Sequence, residues 1–232
     1  MFYINQRKWV LKNMSLNTTE KIRCPKCGKE SDITLWQMIT VKDSPDLKEE
    51  LLKGNLNMFV CDECNEKALV PTPLLYHDED KKIMFSFMPT SSSEETKEAY
   101  MSVLKSSKES GELENLKGYN LRFISDYNAL LEKILIFDSG LNDKTIEVIK
   151  LMVILNDSER SDHLKPLFGK RFEDGSIEIL VNDLKTGELF TSKAPEETYQ
   201  TIHTALKSSG VKDISFDWEM VDREYAEKLL GC

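Results

Sequence analysis

Residues 22–30 read IRCPKCGKE and residues 59–67 read FVCDECNEK. Each stretch holds two cysteines separated by two residues, and 33 residues lie between Cys27 and Cys61. Thiolates are soft ligands that suit a tetrahedral Zn²⁺. A two-residue spacing lets a tight turn bring both sulfurs onto one ion while backbone N–H groups point at them. The residue after the second cysteine of such a turn often takes a left-handed conformation. Gly28 adopts it freely, and Asn65 is the next most tolerant type. Two such turns predict a four-cysteine site, Cys24, Cys27, Cys61 and Cys64, holding one Zn²⁺ per chain. Four thiolates fill a tetrahedral ion, so the zinc is expected to be structural and no catalytic residue is assigned. Arg23, Lys26, Lys29 and Lys67 are close in sequence and would offset the negative charge of a four-thiolate site.

The competing chemistry is redox. CPKC alone suits a thiol–disulfide motif, and such a motif should open a helix after a strand. Here Gly28 and a strand-like stretch follow it, and the second pair would go unused.

The elements that must position these cysteines can be read around them. SDITLWQMIT alternates in the manner of a strand. KDSPDLKEELLKGN offers Ser44 as a cap, Pro45 at a first helical position and Gly54 as a stop, predicting a helix over 45–53. NMFV reads as a strand entering the second pair, and KALVPTPLLYHD continues extended, with Pro71 and Pro73 confining it to an edge or a turn. KIMFSFM is a further strand. PTSSSEETKEAY shifts composition and reads as either a linker or a helix start, and a helix to about Lys108 follows. SDYNALLEKILIFDSG and NDKTIEVIKLMVIL read as two amphipathic helices joined into an antiparallel hairpin. In the last third, turn signals at EDGS and KTGE flank the strand IEILV. LFTS follows, then a helix from Pro195 to Gly210, a strand DISFDW and a short helix. The expected class is α+β: a zinc-ribbon-like lobe with a short helix insert, a helical hairpin and a small C-terminal α+β lobe. The expected divisions are 1–13 (tail), 14–90 (four-cysteine domain), 91–160 (helical hairpin region) and 161–232 (C-terminal lobe).

CPKCG, SPDLKEELLKGNLNMFVCDEC, VPTPLLYHD and EKILIFDSGLNDKTIEVIKLMVI together resemble CpXC domain proteins over about residues 20–155. The resemblance implies a cytoplasmic, zinc-ribbon-like protein whose function is uncharacterised, with Cys24, Cys27, Cys61 and Cys64 as the motif cysteines. The second motif departs from the family: Asp62 stands where proline is usual, and Asn65 where glycine is usual. Every ligand position is kept.

Composition narrows the partners. Net charge is −9, and 18 Lys/Arg against 27 Asp/Glu in residues 91–232 account for a deficit of that size on their own. No region offers the basic stripe that a nucleic-acid backbone needs, nor a polybasic patch for a membrane surface. No run of about 18 apolar residues suits a membrane span. Asn5, Gln6, Arg7, Lys8 and Lys12 interrupt any apolar run at the N-terminus. No export signal is read there, and a reducing cytoplasm is the expected compartment. Met14 opens a second plausible start.

Other candidates have structural readings. His77-Asp78 suits a loop after a strand, His163 a solvated turn and His203 the edge of a core. Asp138, Asp143 and Glu147 suit caps and first-turn acids, and Cys232 an incidental terminal thiol. The function expected is a zinc-stabilised cytoplasmic binding module with a protein partner. The alternatives are an enzyme with a site near Tyr76, His77 and Asp78, and a nucleic-acid-binding zinc ribbon. The charge distribution decides against the last: mixed single- and double-stranded oligonucleotides should show no appreciable binding by fluorescence anisotropy at physiological salt. Low-micromolar affinity that weakens steeply with salt would overturn that expectation.

Overall fold

A computed structural model describes residues 15–156, 159, 161–214 and 217–231. The expected tail over 1–13 and Cys232 lie outside them. The class is mixed α+β, as the sequence predicts. Backbone proximity divides the chain into two units. The first runs to Tyr127 and takes in Trp218; the second begins at Asn128 and resumes at Glu219.

The first unit is built on a five-stranded sheet. β1 (Leu16–Arg23) and β2 (Glu30–Thr40) form an antiparallel hairpin. β2 pairs in parallel with β5 (Leu74–Asp78), which is antiparallel to β6 (Ile83–Phe87). β6 pairs in parallel with β7 (Asn120–Ile124), giving the order β1-β2-β5-β6-β7. A parallel pair needs a crossover. The one from β2 to β5 carries α1 (Pro45–Leu52) and a two-stranded ribbon, β3 (Met58–Val60) with β4 (Lys67–Leu69). Ile39, Tyr76, Ile83, Phe85 and Leu121 fill the sheet's core at 1% exposure or less. α2 (Ser93–Ser110) starts as predicted: Ser92 accepts from the Glu95 N–H at 3.2 Å while the Glu95 carboxylate accepts from the Ser91 N–H at 2.8 Å, a reciprocal cap. It lays Tyr100, Val103 and Leu104 against Met84, Tyr119 and Trp218.

The expected boundary at residue 90 falls inside this sheet, because β7 comes from beyond it. Its NLRFI core run lay unassigned between a turn and the helix that follows. β1 was also missed. LNTTEKIR is a polar, exposed edge strand, and its only strong signal is its pairing with β2.

The second unit contains α3 beyond Tyr127 (Tyr127–Asp138), α4 (Asp143–Leu155) and the antiparallel sheet β8 (Leu164–Arg171), β9 (Ile177–Asp183) and β10 (Leu189–Ala194). α5 (Glu196–Ser208) and α6 (Arg223–Leu230) follow. β8, unforeseen, precedes the predicted strands. The expected strand at 213–218 lies partly outside the described residues, and Asp217 and Trp218 are not in a strand. The predicted hairpin of α3 and α4 is present, with Asn142 capping α4 by accepting from the Lys144 and Thr145 N–H groups at 3.0 and 3.2 Å. It is not a lobe apart from the C-terminal strands, as the expected boundary at 160 implied. α4 is buried on nearly every side. Ile146, Ile149 and Ile154 share one core with Leu164, Phe168, Ile177 and Ile179, while Val148 and Leu151 pack with Leu206 and Ala226.

α4 also buries charge. Lys133 lies 3.0 Å from Glu147 and 3.3 Å from Asp143, and Lys150 lies 2.9 Å from Glu132 and 3.1 Å from Glu147. All five side chains are at most 10% exposed. The other Glu132 role is to accept the Phe168 N–H, tying α3 to β8. Burial works against the Lys133 ammonium, yet Glu147, Asp143 and Glu132 hold it above the ordinary lysine pKa. Burial likewise works against the Glu147 carboxylate, and Lys133 and Lys150 hold it below its ordinary value. Asp143 stands in the first turn of α4 as the sequence predicts, and it and Glu147 are in addition members of an ion network. Lys133→Met should leave a buried network of three carboxylates with one cation fewer and cost about 3–5 kcal/mol, read as a lower urea midpoint of the full chain. A loss under about 1 kcal/mol would show that water enters and solvates the network.

Candidate metal centre

The hairpin of β1 and β2 turns through Cys24–Gly28. Cys24 N–H donates to Lys29 O at 2.7 Å and Gly28 N–H to Cys24 O at 3.0 Å. The ribbon of β3 and β4 turns through Cys61–Asn65 with the same pattern: Cys61 N–H to Glu66 O at 2.9 Å and Asn65 N–H to Cys61 O at 2.9 Å. Both turns close on a left-handed residue, Gly28 at φ 76° and Asn65 at φ 56°. The two turns are one local structure written with two sequences. Asn65 meets a backbone demand that glycine would meet with less strain, and Asp62 replaces proline without altering the hydrogen bonds.

The turns bring all four sulfurs together. Cys24 Sγ lies 3.6 Å from Cys64 Sγ, Cys27 Sγ lies 3.5 Å from Cys61 Sγ, and all four atoms fall within 4.8 Å of one another. A disulfide would need about 2.05 Å. Sulfurs around a tetrahedral zinc at about 2.3 Å stand about 3.8 Å apart. The spacing fits a shared ion, and the four cysteines could bind one. Cys24 and Cys61 are buried, Cys64 is half-buried and Cys27 is exposed. Phe59, Ile22, Ile33 and Val70 pack around the buried pair as a small apolar shell.

Backbone donors tune the thiols unequally. The Cys27 N–H does most to pull Cys24 down to about 6, working against burial. The Glu66 N–H acts on Cys64 in the same direction, but burial and the three neighbouring thiols push it to about 12. Of the four basic residues noted in the sequence, Arg23 pairs with Glu30 at 3.9 Å and Lys26 reaches Glu66 on the opposite turn at 3.5 Å.

Sequence reasoning missed the residue that joins the two turns. β2 pairs with β5 only from Met38 onward, so its edge at Trp36 has no strand beside it. Asn57, just before β3, fills that edge: its Oδ1 accepts the Trp36 N–H at 2.7 Å and its Nδ2 donates to the Trp36 carbonyl at 3.0 Å. Asn57 is buried and left-handed, at φ 56°. An asparagine amide carries one acceptor and a donor in the geometry of a peptide group, so it completes the sheet where no strand does. An asparagine in a turn before a strand gives no sequence signal of that role.

Tyr76, His77 and Asp78 are all buried in β5, where alternate side chains leave opposite faces. His77 Nε2 lies 3.2 Å from Tyr119 Oη, and burial pushes its imidazole below the ordinary value. Asp78 pairs with Lys48 at 3.6 Å. His163 is half-buried, and His203 stacks on Tyr199 and lies 3.0 Å from Thr145 Oγ1.

A family model described as CpXC protein matches residues 22–150. No curated protein and no solved structure matches the chain. The matched span holds all four cysteines, the Asn57 clasp and most of α4.

The geometry predicts that the metal fixes the turns and not the whole sheet, whose core is far from the sulfurs in sequence and apolar by itself. Cys61→Ser should abolish stoichiometric metal and remove hydrogen-exchange protection from β3, β4 and the tip of the β1–β2 hairpin, while β5, β6 and β7 stay protected. Protection lost evenly through β7 would show a single cooperative unit. Unchanged protection at β3 and β4 would show that packing alone holds the turns.

Proposed function

The chain belongs to the CpXC family, and we propose that it is a cytoplasmic binding module whose four-cysteine centre holds one structural Zn²⁺ and whose role is to dock another protein. The observation that supports this most is the closure of the site. Four thiolates gathered within 4.8 Å of one another would fill the coordination of a zinc ion and leave no position for water or substrate, so its contribution would be to fold and orient the turns. Cysteine thiolates favour zinc over magnesium or calcium, which take oxygen ligands. No membrane role is supported: among the described residues, no helix is long and apolar enough to cross a membrane. The acid-rich composition favours a basic or neutral partner.

The test is capture from the native host. Tagged wild-type chain and Cys61→Ser, purified gently, should differ in metal and in company. The wild type is expected to carry about one equivalent of zinc and a stoichiometric protein partner that the variant lacks. Less than half an equivalent of zinc, with four freely titratable thiols, would overturn the zinc assignment. Absence of any partner in cross-linked and native preparations alike would overturn the docking role.

A further inference from the structure

Every second residue of the segment that enters the second turn is anchored on the hairpin of β1 and β2. Asn57 holds the Trp36 peptide with both polar atoms of its amide, Phe59 shares an apolar cluster with Ile22, Ile33 and Cys24, and Cys61 Sγ meets Cys27 Sγ at 3.5 Å. The three are buried, whereas Val60, between the last two, is exposed. That alternation is a strand laid with one face on a support. The anchors differ in what they fix. Apolar contact at Phe59 is non-directional and tolerates sliding. Cys61 needs an ion to hold its place. The Asn57 amide is directional: it accepts from and donates to a single peptide group, so it selects one register of the ribbon on β2. The Asn57 carbonyl also accepts the Val70 N–H at 2.9 Å, which ties the far end of the ribbon to the same residue. Glycine would meet the backbone demand at φ 56° with less strain, so the amide is what asparagine adds here.

We propose that Asn57 is a positioning residue of the metal centre: by registering the ribbon on β2 it stands Cys61 and Cys64 opposite Cys24 and Cys27 before an ion arrives, and so sets how tightly and how long the ion is held. This role presupposes the zinc reading given above and goes beyond it, since the ligands and their register come from different residues. The ribbon is a two-stranded sheet of its own, three residues on each side, and β2 is paired with β5 only from Met38 onward. At Trp36 the ribbon therefore meets the hydrogen-bonding edge of the larger sheet, and Cys61 follows four residues after the clasp. The Lys26–Glu66 link across the two turns is a surface pair and fixes little. A site whose ligands are placed beforehand loses less chain freedom on binding than one that must gather them. Groups bonded directly to a metal ligand are worth about 10–100-fold in affinity; Asn57 acts through a stretch of chain, so its loss should cost less, about fivefold or more.

The test compares the full chain with Asn57→Gly and Asn57→Asp. Glycine keeps the left-handed backbone and the bond to Val70 and removes only the amide. Aspartate keeps the shape and the acceptor for the Trp36 N–H, but it sets a second carboxylate oxygen where the Trp36 carbonyl expects a donor. Zinc affinity is read by competition with a chromophoric chelator, and zinc release by its rate of loss to excess EDTA. Both variants are expected to take up one equivalent, to bind it at least about fivefold more weakly and to release it at least about fivefold faster. Loaded with Co²⁺ instead, both should keep the thiolate-to-cobalt charge-transfer absorption, because all four ligands remain. In the metal-free wild type the Trp36 amide should stay protected from hydrogen exchange even where β3 and β4 do not, and Asn57→Gly should lose that protection. Equal affinity and equal release in wild type and both variants would overturn the role. So would a Trp36 amide that exchanges freely in the metal-free wild type, since no register would then precede the ion. A lower urea midpoint of the metal-free variants with unchanged zinc affinity would make Asn57 a structural residue only and overturn it as well. A wild type that takes up neither zinc nor cobalt would overturn the zinc reading itself, which separates that failure from the others.

Discussion

Four thiols held within 4.8 Å of one another cannot all ionise unless a cation joins them. The thiols are unequal: the Cys27 N–H does most to draw Cys24 to about 6, while burial and the neighbouring thiols outweigh the Glu66 N–H and push Cys64 to about 12. A divalent soft cation attracts all four thiolates at once, which is why metal binding of about 10–16 kcal/mol in zinc-finger peptides can offset a long loop closure. In this chain the loop is the β2–β5 crossover. Its closure decides where α1 lies, where the Asn57 amide meets Trp36, and which residues follow the ribbon into β5.

The centre was legible because its demands are local. Two cysteines at a spacing of two, a residue tolerant of positive φ after the second, and a strand on each side are all written within nine residues. The same holds for α1, with Pro45 at its start and Gly54 after it, and for α2 with its Ser92–Glu95 cap. What escaped is written between distant residues. β1 is polar and becomes a strand by pairing, Leu16 with Met38 through Arg23 with Glu30. β7 joins β6 from beyond an 18-residue helix, so the first sheet ignores the composition shift at residue 90. Asn57 mimics a peptide group for an edge created by where β5 begins. None of these has a signature shorter than the contact it makes.

The ion network of the second unit shows a different failure of local reading. Asp143 follows a good cap and Glu147 sits one turn on, so a helix-dipole account of both is adequate from sequence. Burial changes the question. A helix enclosed on nearly every side must place its polar residues somewhere, and Glu132, Lys133, Asp143, Glu147 and Lys150 solve this jointly. Such a network contributes little net stability against an apolar replacement, since desolvation consumes most of the attraction. It does make wrong registers of α3 against α4 expensive, because a slip would leave a buried charge alone. The N–H of Phe168, bonded to Glu132, extends that selectivity to β8.

The match to the family ends at Lys150, inside α4, and this position has a structural meaning. Ile154 lies beyond it in the same helix, within the core of Leu164, Phe168, Ile177 and Ile179, and α4 is further enclosed by Leu206 and Ala226 of α5 and α6. A helix with apolar and paired ionic side chains on nearly every face cannot end a soluble fold; the surface it would leave in water must be covered. Residues 161–231 supply that cover here, which makes them a structural continuation of the hairpin rather than an appendage. The four cysteines answer to a separate constraint, the meeting of the two turns that carry them. A change in the covering strands should therefore reach the hairpin before it reaches the cysteines, and a change at the cysteines should reach β3 and β4 before it reaches the hairpin.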